Sequence, residues 1–280
     1  MSSKNAEKIA KELLAEAGIT VNGNKPYDIQ VHNPEFYSRV LREQVLGLGE
    51  SYMDGWWDCD AIDDLITKII LAGLEEKVKG NWKYSWHILR SKLFNLQKLN
   101  RAYQVAQQHY DIGNDLYKAM LDKRMNYTCA YWRNANNLDE AQEAKLDLVC
   151  KKLELEPGMK ILELGCGFGS FAGFAAEKYG VSVTGINVSK AQVDLAKKRY
   201  EGLPVKFILD DDRSASGTYD RVISIGVMEH VGYKNYHTYM KVVDRCLAKD
   251  GIAFIHTIGS NISKTASNPW TTKYIFPNGV

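Results

Sequence analysis

Two ionisable side chains stand together directly after an apolar run in the second half of the chain. The run SIGVMEHVG, residues 224–232, has the pattern of a buried strand and continues into Glu229 and His230. A carboxylate beside an imidazole is typical of acid–base chemistry or of ligand binding. A later apolar run ends in the same way, at His256 and Thr257. The regular His spacing of metal sites is missing and no further carboxylate follows, so we expect no metal here.

The elements that must position these side chains begin at Asp139, where helical and strand patterns start to alternate. Such alternation is typical of a parallel sheet covered by helices, an α/β doubly wound fold. Ligands of such sheets bind at the carboxyl ends of the strands. The patterns predict strands at 160–165, 181–186, 205–209, 220–226 and 251–256, and helices at 139–153, 171–180, 189–199 and 236–247.

The first strand leads into a glycine-rich turn, ELGCGFG, in which Glu163 precedes Gly165, Gly167 and Gly169. Glycines allow a tight turn and close approach of the backbone to a ligand, and the next helix offers free N–H groups. Dinucleotide-binding enzymes use a similar turn, and a purely structural turn is the other alternative. The acidic residue before the first glycine resembles motif I of class I S-adenosylmethionine-dependent methyltransferases. There the acid binds the methionine amino group.

The next two strand ends supply polar groups that suit the rest of that cofactor. Asn187 stands where an acidic residue usually binds the ribose, and Asn187 and Gln192 could reach its hydroxyls. The alternative for Gln192 is a capping box with Ser189. Asp211 or Asp212 could accept a hydrogen bond from the adenine amino group. A solvated acidic turn is the alternative for both.

A wider set of motifs identifies a family. HYDIGNDLY (109–117) and NYTCAYW (126–132) precede ELGCGFG, GINVSKAQ, GVMEHVG and IHTIGS. In this order and spacing they resemble the cyclopropane-fatty-acid-phospholipid synthase family, which includes the mycolic acid cyclopropane synthases. Residues 28–58, with the run LGLGESYMDGWW, resemble the N-terminal domain of the bacterial phospholipid enzymes, so we favour that branch.

The resemblance implies a class I methyltransferase fold and methyl transfer from S-adenosylmethionine to a cis double bond of an acyl chain, followed by proton loss and ring closure. The reaction needs a pocket without water, because water would quench a carbocation. By position, the family implies a role for Tyr110 at the reacting carbons, and Tyr127 and Thr128 at the cofactor. It also implies a bicarbonate ion, the base, held by Cys129, Glu229, His256 and Ile258. The other interpretation of Cys129 is a covalent nucleophile.

The chain divides into an accessory domain at 1–75, a basic aromatic linker at 76–108 and the methyltransferase domain at 109–280. The family continues beyond this point, so we expect the C-terminal part of the sheet to be missing. A net charge of +2 gives no reason to expect nucleic acid. Five scattered cysteines and the absence of a signal-peptide pattern favour a cytoplasmic protein. The family resemblance implies that its partner is the phospholipid bilayer, which it would meet at the inner face of the membrane. A homodimer is left open.

Two other functions fit the same motifs. One is a lipid or small-molecule methyltransferase that does not cyclise its product. The other is a lipid-binding protein without turnover, which the Asn187 substitution and the expected C-terminal gap would both suit.

The linker generates the first prediction. Between Lys77 and Tyr110 there is no acidic residue, and seven bases alternate with aromatic and leucine side chains. Such a segment suits an anionic lipid surface, although a solvated basic helix is the alternative. We expect binding to anionic vesicles to weaken with salt and with neutralisation of Lys83, Arg90 and Lys92, because salt screens exposed charges beyond roughly 10 Å at ~0.1 M. Vesicle sedimentation that is indifferent to both changes would contradict the interpretation.

Overall fold

The computed structural model describes residues 3–74, 114–259, 261 and 268–275. The chain forms two compact units, one of residues 1–93 with 266–275 and one of residues 94–265 with 276–280. The predicted linker at 76–108 and Tyr110 lie outside the described residues. No described helix has both the length and the apolar character that crossing a membrane requires.

The N-terminal unit is built from helices around two very short strands. Its elements are α1 (Ser3–Glu16), β1 (Gln30–Val31), α2 (Glu35–Met53), β2 (Trp57–Asp58) and α3 (Ile62–Leu71), to which the later helix α10 (Pro269–Tyr274) is added. The two strands pair antiparallel. Buried side chains such as Phe36, Trp57 and Leu65 form the core. The Trp57 indole donates to the Leu48 carbonyl at 3.1 Å, which satisfies a polar group that burial would otherwise leave unpaired.

Helix α10 packs on α2, which the sequence did not indicate, since residues 109–280 were predicted to form one domain. Glu50 of α2 accepts hydrogen bonds from Lys273 at 2.5 Å and from Tyr274 at 2.9 Å. The Trp270 ring lies so close to Gly49 that a Cβ atom there would be 2.3 Å from its Cδ1. Complementary charge and a glycine that admits an aromatic ring thus join segments about two hundred residues apart.

The second unit contains the parallel sheet. Its elements are α4 (Asn114–Met120), α5 (Leu138–Lys152), β3 (Lys160–Leu164), α6 (Ser170–Tyr179), β4 (Ser182–Asn187), α7 (Lys190–Arg199), β5 (Val205–Leu209), β6 (Tyr219–Ile225), α8 (Met228–Val231), α9 (Tyr236–Cys246) and β7 (Leu247–His256). Short 3₁₀ turns occupy Asp212–Ser214 and Tyr233–Asn235. The strand order is β5-β4-β3-β6-β7, all parallel.

Helices cover both faces of this sheet. Ile161 of β3 belongs to a core cluster with buried residues of α5, α6 and α7, whereas its neighbours Leu162 and Leu164 pack with α9. Because side chains alternate across a strand, one apolar run serves both layers. The predicted doubly wound fold is confirmed, and four of the five strands lie within one residue of their predicted bounds. β7 begins at Leu247 instead of Gly251.

The order of strands fixes where a ligand can bind. The chain runs from β3 outward to β5 on one side and then returns to β6 on the other side of β3. At such a switch point the connections leave the central strands in opposite directions, which opens a crevice at their carboxyl ends. The ends of β3 and β6 carry Glu163 and Gly226.

Glu50 generates a stability prediction for the N-terminal unit. The hydrogen bond from Lys273, with those from Arg39 and Tyr274, lowers the pKa of Glu50 from 4.5 to about 2, although burial opposes the shift. Its contribution is therefore complete above pH 4.5 and lost as the pH falls toward 2. We expect Glu50→Gln to lower the free energy of unfolding by about 1 to 3 kcal/mol at pH 7, and less at pH 3.

Urea titrations followed by tryptophan fluorescence at the two pH values measure this difference. Glu12→Gln is the matched control, because the Glu12 side chain is 64% exposed and its ion pair with Lys8 spans 3.9 Å. An equal loss for Glu50→Gln at both pH values would contradict the assigned role of the carboxylate.

Candidate active site

A cavity of about 230 Å³ opens at the carboxyl ends of β3, β4 and β6. Nine of the ten residues predicted to bind the cofactor line it. They are Tyr127, Thr128, Glu163, Gly165, Gly167, Asn187, Gln192, Asp211 and Asp212. The cavity thus lies at the switch point that the topology creates, which agrees with the predicted position of the cofactor.

The glycines of the turn after β3 have different tasks. Gly165, Gly167 and Gly169 all have positive φ, at 69°, 52° and 78°, which an L side chain rarely adopts. A Cβ atom on Gly167 would meet no described atom within 4 Å, so this position borders open space. A Cβ on Gly169 would lie 2.7 Å from the Phe207 ring. Gly169, predicted to bind the cofactor, does not line the cavity in the described structure and instead allows α6 to pack against β5.

The carboxyl group of Glu163 is buried, and only part of its hydrogen-bonding capacity is filled. The residue is 5% exposed, and its Oε2 atom has no hydrogen-bond partner among the described residues. Burial raises its pKa to about 8, although the Ala172 N–H and the charge of Lys145 oppose the shift. A buried carboxyl group with one oxygen still lacking a partner is suited to a cationic ligand group, because such a group would restore the ionised form.

Asn187 and Gln192 are bonded to each other. The Asn187 Nδ2 donates to Gln192 Oε1 at 2.7 Å and to the Gly167 carbonyl at 3.3 Å. The Asn187 Oδ1 accepts the Val188 N–H at 2.9 Å. Ser189 caps α7 by accepting the Gln192 N–H at 3.4 Å, but the Gln192 side chain is turned to Asn187, so the full capping box is absent. Of the pair, the Gln192 Nε2 remains as a donor for a ribose hydroxyl.

Asp211 and Asp212 differ in whether a neighbouring side chain already pairs with the carboxylate. Asp211 accepts two hydrogen bonds of 2.6 Å from the Arg213 guanidinium, and these lower its pKa against the effect of burial. Burial, together with the charge of Asp211, raises the pKa of Asp212 to about 7. Asp212 is therefore the better candidate for a ligand contact, because Asp211 is already paired.

The four residues that the family assigns to bicarbonate form two contacting pairs. Cys129 Sγ lies 3.5 Å from His256 Nε2. The Ile258 N–H donates to Glu229 Oε1 at 2.8 Å. Glu229 Oε2 and His256 Nδ1 are buried atoms without a hydrogen-bond partner in the described part of the chain. The pairs thus present one free acceptor and one free ring nitrogen.

These four side chains do not belong to the described lining of the cavity, although their neighbours do. Thr128 and His230, which line it, precede Cys129 and follow Glu229. Burial lowers the pKa of His230, while the charge of Glu229 opposes the shift. In the described ranges no group of His, Cys, Asp and Glu could hold a metal ion.

Lys145 is a cavity residue that the sequence analysis missed. It lies in the middle of α5, is 8% exposed and donates to Thr128 Oγ1 at 2.8 Å. Its position offered a signal, because it is four residues from the buried Ala141 and four from the buried Val149, on the inward face of an amphipathic helix.

Comparisons with known proteins identify the family. The family model described as mycolic acid cyclopropane synthetase matches residues 97–280. A cyclopropane-fatty-acyl-phospholipid synthase of Escherichia coli is 51% identical over 275 residues, which cover 98% of this chain and 72% of that protein.

Two solved structures are similar in fold and sequence. One is a mycolic acid cyclopropane synthase complexed with SAH and CTAB, with 35% identity, a TM-score of 0.53 and 55% of each chain covered. The other is a cyclopropane synthase from Mycobacterium tuberculosis, with 29% identity, a TM-score of 0.59, and 66% of this chain and 70% of that one covered. The chain therefore belongs to the family of cyclopropane-fatty-acyl-phospholipid synthases and mycolic acid cyclopropane synthetases.

Proposed function

We propose that the chain transfers a methylene unit from S-adenosylmethionine to a cis double bond of an unsaturated acyl chain in membrane phospholipid, forming a cyclopropane ring. The observation that carries the proposal is the buried carboxyl of Glu163, whose Oε2 atom has no partner among the described residues, in a cavity at the switch point. The name of the Escherichia coli relative supports the substrate class.

The residues of the cavity fit S-adenosylmethionine, which supplies a methyl group on a positively charged sulfur. Glu163 would accept hydrogen bonds from the ammonium group, Gln192 would bind the ribose, and Asp212 would accept from the adenine amino group. Gly167 borders open space in which part of the ligand could lie, because a Cβ atom there would meet no described atom within 4 Å. Of these atoms, Glu163 Oε2 is a buried acceptor that the described residues leave without a partner.

Ring closure requires one proton to leave the methylated chain, and we propose that the cluster of Cys129, His256, Glu229 and Ile258 holds a bicarbonate ion that accepts it. Bicarbonate has one O–H donor and several acceptor lone pairs. Glu229 Oε2 could accept from the ion and His256 Nδ1 could donate to it. The Ile258 N–H already donates to Glu229 Oε1 and would hold that carboxylate in position for the ion. The position of the pairs beside cavity residues Thr128 and His230 supports this role.

We also propose that the protein binds the bilayer peripherally. The described part of the N-terminal unit has strongly exposed apolar side chains at the end of α3, where Ile70 is 70% and Leu71 is 82% exposed. Apolar side chains of this kind can enter the headgroup boundary of a membrane. A reactive double bond inside a bilayer makes such contact necessary.

The test is mass spectrometry of unsaturated phospholipid vesicles incubated with the protein and S-adenosylmethionine. We expect each product to gain one CH₂ unit and to lose its double bond. A product that gains a methyl or methylene branch and no ring would identify a methyltransferase without cyclisation. The absence of any S-adenosylmethionine binding in calorimetry would overturn both.

Glu163 predicts how cofactor affinity depends on pH. Because its pKa is about 8 and an ammonium group requires the ionised carboxylate, binding at lower pH must first remove a proton. We expect the Kd for S-adenosylmethionine to rise as the pH falls from 8 to 6, by up to about tenfold per unit. Calorimetry should show weaker binding and a flatter pH profile for Glu163→Gln. Asp212→Asn is the control for the second titrating carboxyl, and a wild-type affinity that is constant over this range would refute the assignment.

Glu229 predicts a dependence on bicarbonate. Glu229→Gln replaces an acceptor oxygen with an N–H₂ group, a change that costs about 1 to 3 kcal/mol at a buried site and so slows ring formation by roughly ten- to a hundredfold. S-adenosylmethionine binding should persist, because Glu229 does not belong to the described cavity lining. Activity of the wild type should fall in decarbonated buffer and recover with bicarbonate. Equal turnover in decarbonated buffer would leave Glu229 or His256 as a direct base.

A further inference from the structure

The segment that joins the cavity to the Cys129–His256 pair is held by two side chains of α5. Gln142 Nε2 donates to the Thr128 carbonyl at 2.8 Å. One turn later, Lys145 Nζ donates to the Thr128 hydroxyl at 2.8 Å and to Asn126 Oδ1 at 3.3 Å. Backbone and side chain of Thr128 are thus both bonded to the same helix.

The ammonium of Lys145 is costly in this position. Burial lowers its pKa to about 8, although the charges of Asp122, Cys129 and Glu163 oppose the shift. An apolar side chain could fill the same space without that cost, so packing alone does not explain a lysine here. Asp122 extends the network, because it accepts the Asn126 N–H at 2.6 Å and the Asn126 Nδ2 at 3.0 Å.

Thr128 also contacts the sheet. A Cβ atom on Gly226, at the end of β6, would lie 2.5 Å from the Thr128 methyl group. The next residue along the chain is Cys129, whose sulfur is 3.5 Å from His256 at the end of β7. Thr128 therefore lies between α5 and the strand ends that carry the candidate catalytic cluster.

We infer that Lys145 is a positioning residue that acts through the Thr128 hydroxyl, fixing residues 126–129 so that Cys129 stays against His256 beside the cavity. The inference rests on the proposed function for its catalytic consequence. Whether a buried hydrogen bond holds this segment in place can be measured independently of catalytic activity.

Two substitutions of Thr128 separate the hydroxyl from the methyl group. Thr128→Ser keeps the acceptor of Lys145 and loses the methyl that contacts Gly226, whereas Thr128→Val keeps the methyl and loses the acceptor. If Lys145 acts through the hydroxyl, Thr128→Val should lower kcat at least about tenfold further than Thr128→Ser. A Val variant that is as active as the Ser variant, or more active, would overturn the inference.

Lys145→Met tests the lysine itself, with Lys152→Met as control, since Lys152 is an exposed residue at the end of the same helix. Because both changes would break one interaction, the double variant Lys145→Met/Thr128→Val should be no slower than the slower single variant. Losses that multiply would indicate independent structural damage and would contradict the inference.

Hydrogen exchange supplies a readout that does not depend on the reaction. In the peptide spanning residues 126–132, amide exchange should be about tenfold faster in Lys145→Met and Thr128→Val than in the wild type and in Lys152→Met. If Lys145→Met does not fold, the two Thr128 variants still decide the matter. If the wild type forms no cyclopropane, the proposed function fails, while the exchange rates still show whether Lys145 holds the segment. Unchanged exchange in the folded variants would overturn the inference.

Discussion

The carboxyl of Glu163 occupies a position that the rest of the catalytic unit has to accommodate. It stands near the end of β3, the central strand, where sheet and helices exclude water and burial raises its pKa to about 8. The group lies where it can meet a ligand, because β3 and its neighbour β6 are the strands from which the chain departs in opposite directions. Only there does a parallel sheet leave a crevice, and a carboxyl on its wall can meet a cation from solution.

Much of the fold follows from local signals in the sequence. A parallel strand that is buried on both faces must be a nearly continuous apolar run, and a glycine or a polar cluster marks its end. For this reason β3 to β6 lie within one residue of prediction. β7 begins earlier because Leu247 pairs with Tyr219 ahead of a shift in register, and residues such as Lys249 and Asp250 conceal the extension. The docking of α10 on α2 depends on contacts between distant segments, which no local pattern specifies.

The sequence predicted which residues lie near the candidate site better than it predicted what each side chain does there. Nine of the residues predicted to bind the cofactor line the cavity. Seven of them follow from the strand ends, which converge at one edge, and the resemblance to the family supplied Tyr127 and Thr128. The sequence could not show that Asn187 is already bonded to Gln192, or that Asp211 is paired with Arg213, since these are side-chain choices made in three dimensions. Sequence alone also could not show the role of Gly169. It stands in the same motif as Gly165 and Gly167, but it lacks a Cβ because the Phe207 ring occupies that space.

The buried polar groups of the site are of two kinds: some have hydrogen-bond partners within the protein, and others keep an atom without a partner in the described residues. Lys145, Asn126 and the Gln142 Nε2 atom have hydrogen-bond partners within the protein, and these bonds hold residues 126–128 before any ligand arrives. Glu163 and Glu229 each keep an oxygen without a described partner. Carboxyl groups that keep a free oxygen and are surrounded by hydrogen-bonded neighbours are preorganised. They can bind a charged ligand without first changing their positions. A cationic cofactor at Glu163 and an anionic base near Glu229 would therefore enter sites whose geometry the fold has already fixed.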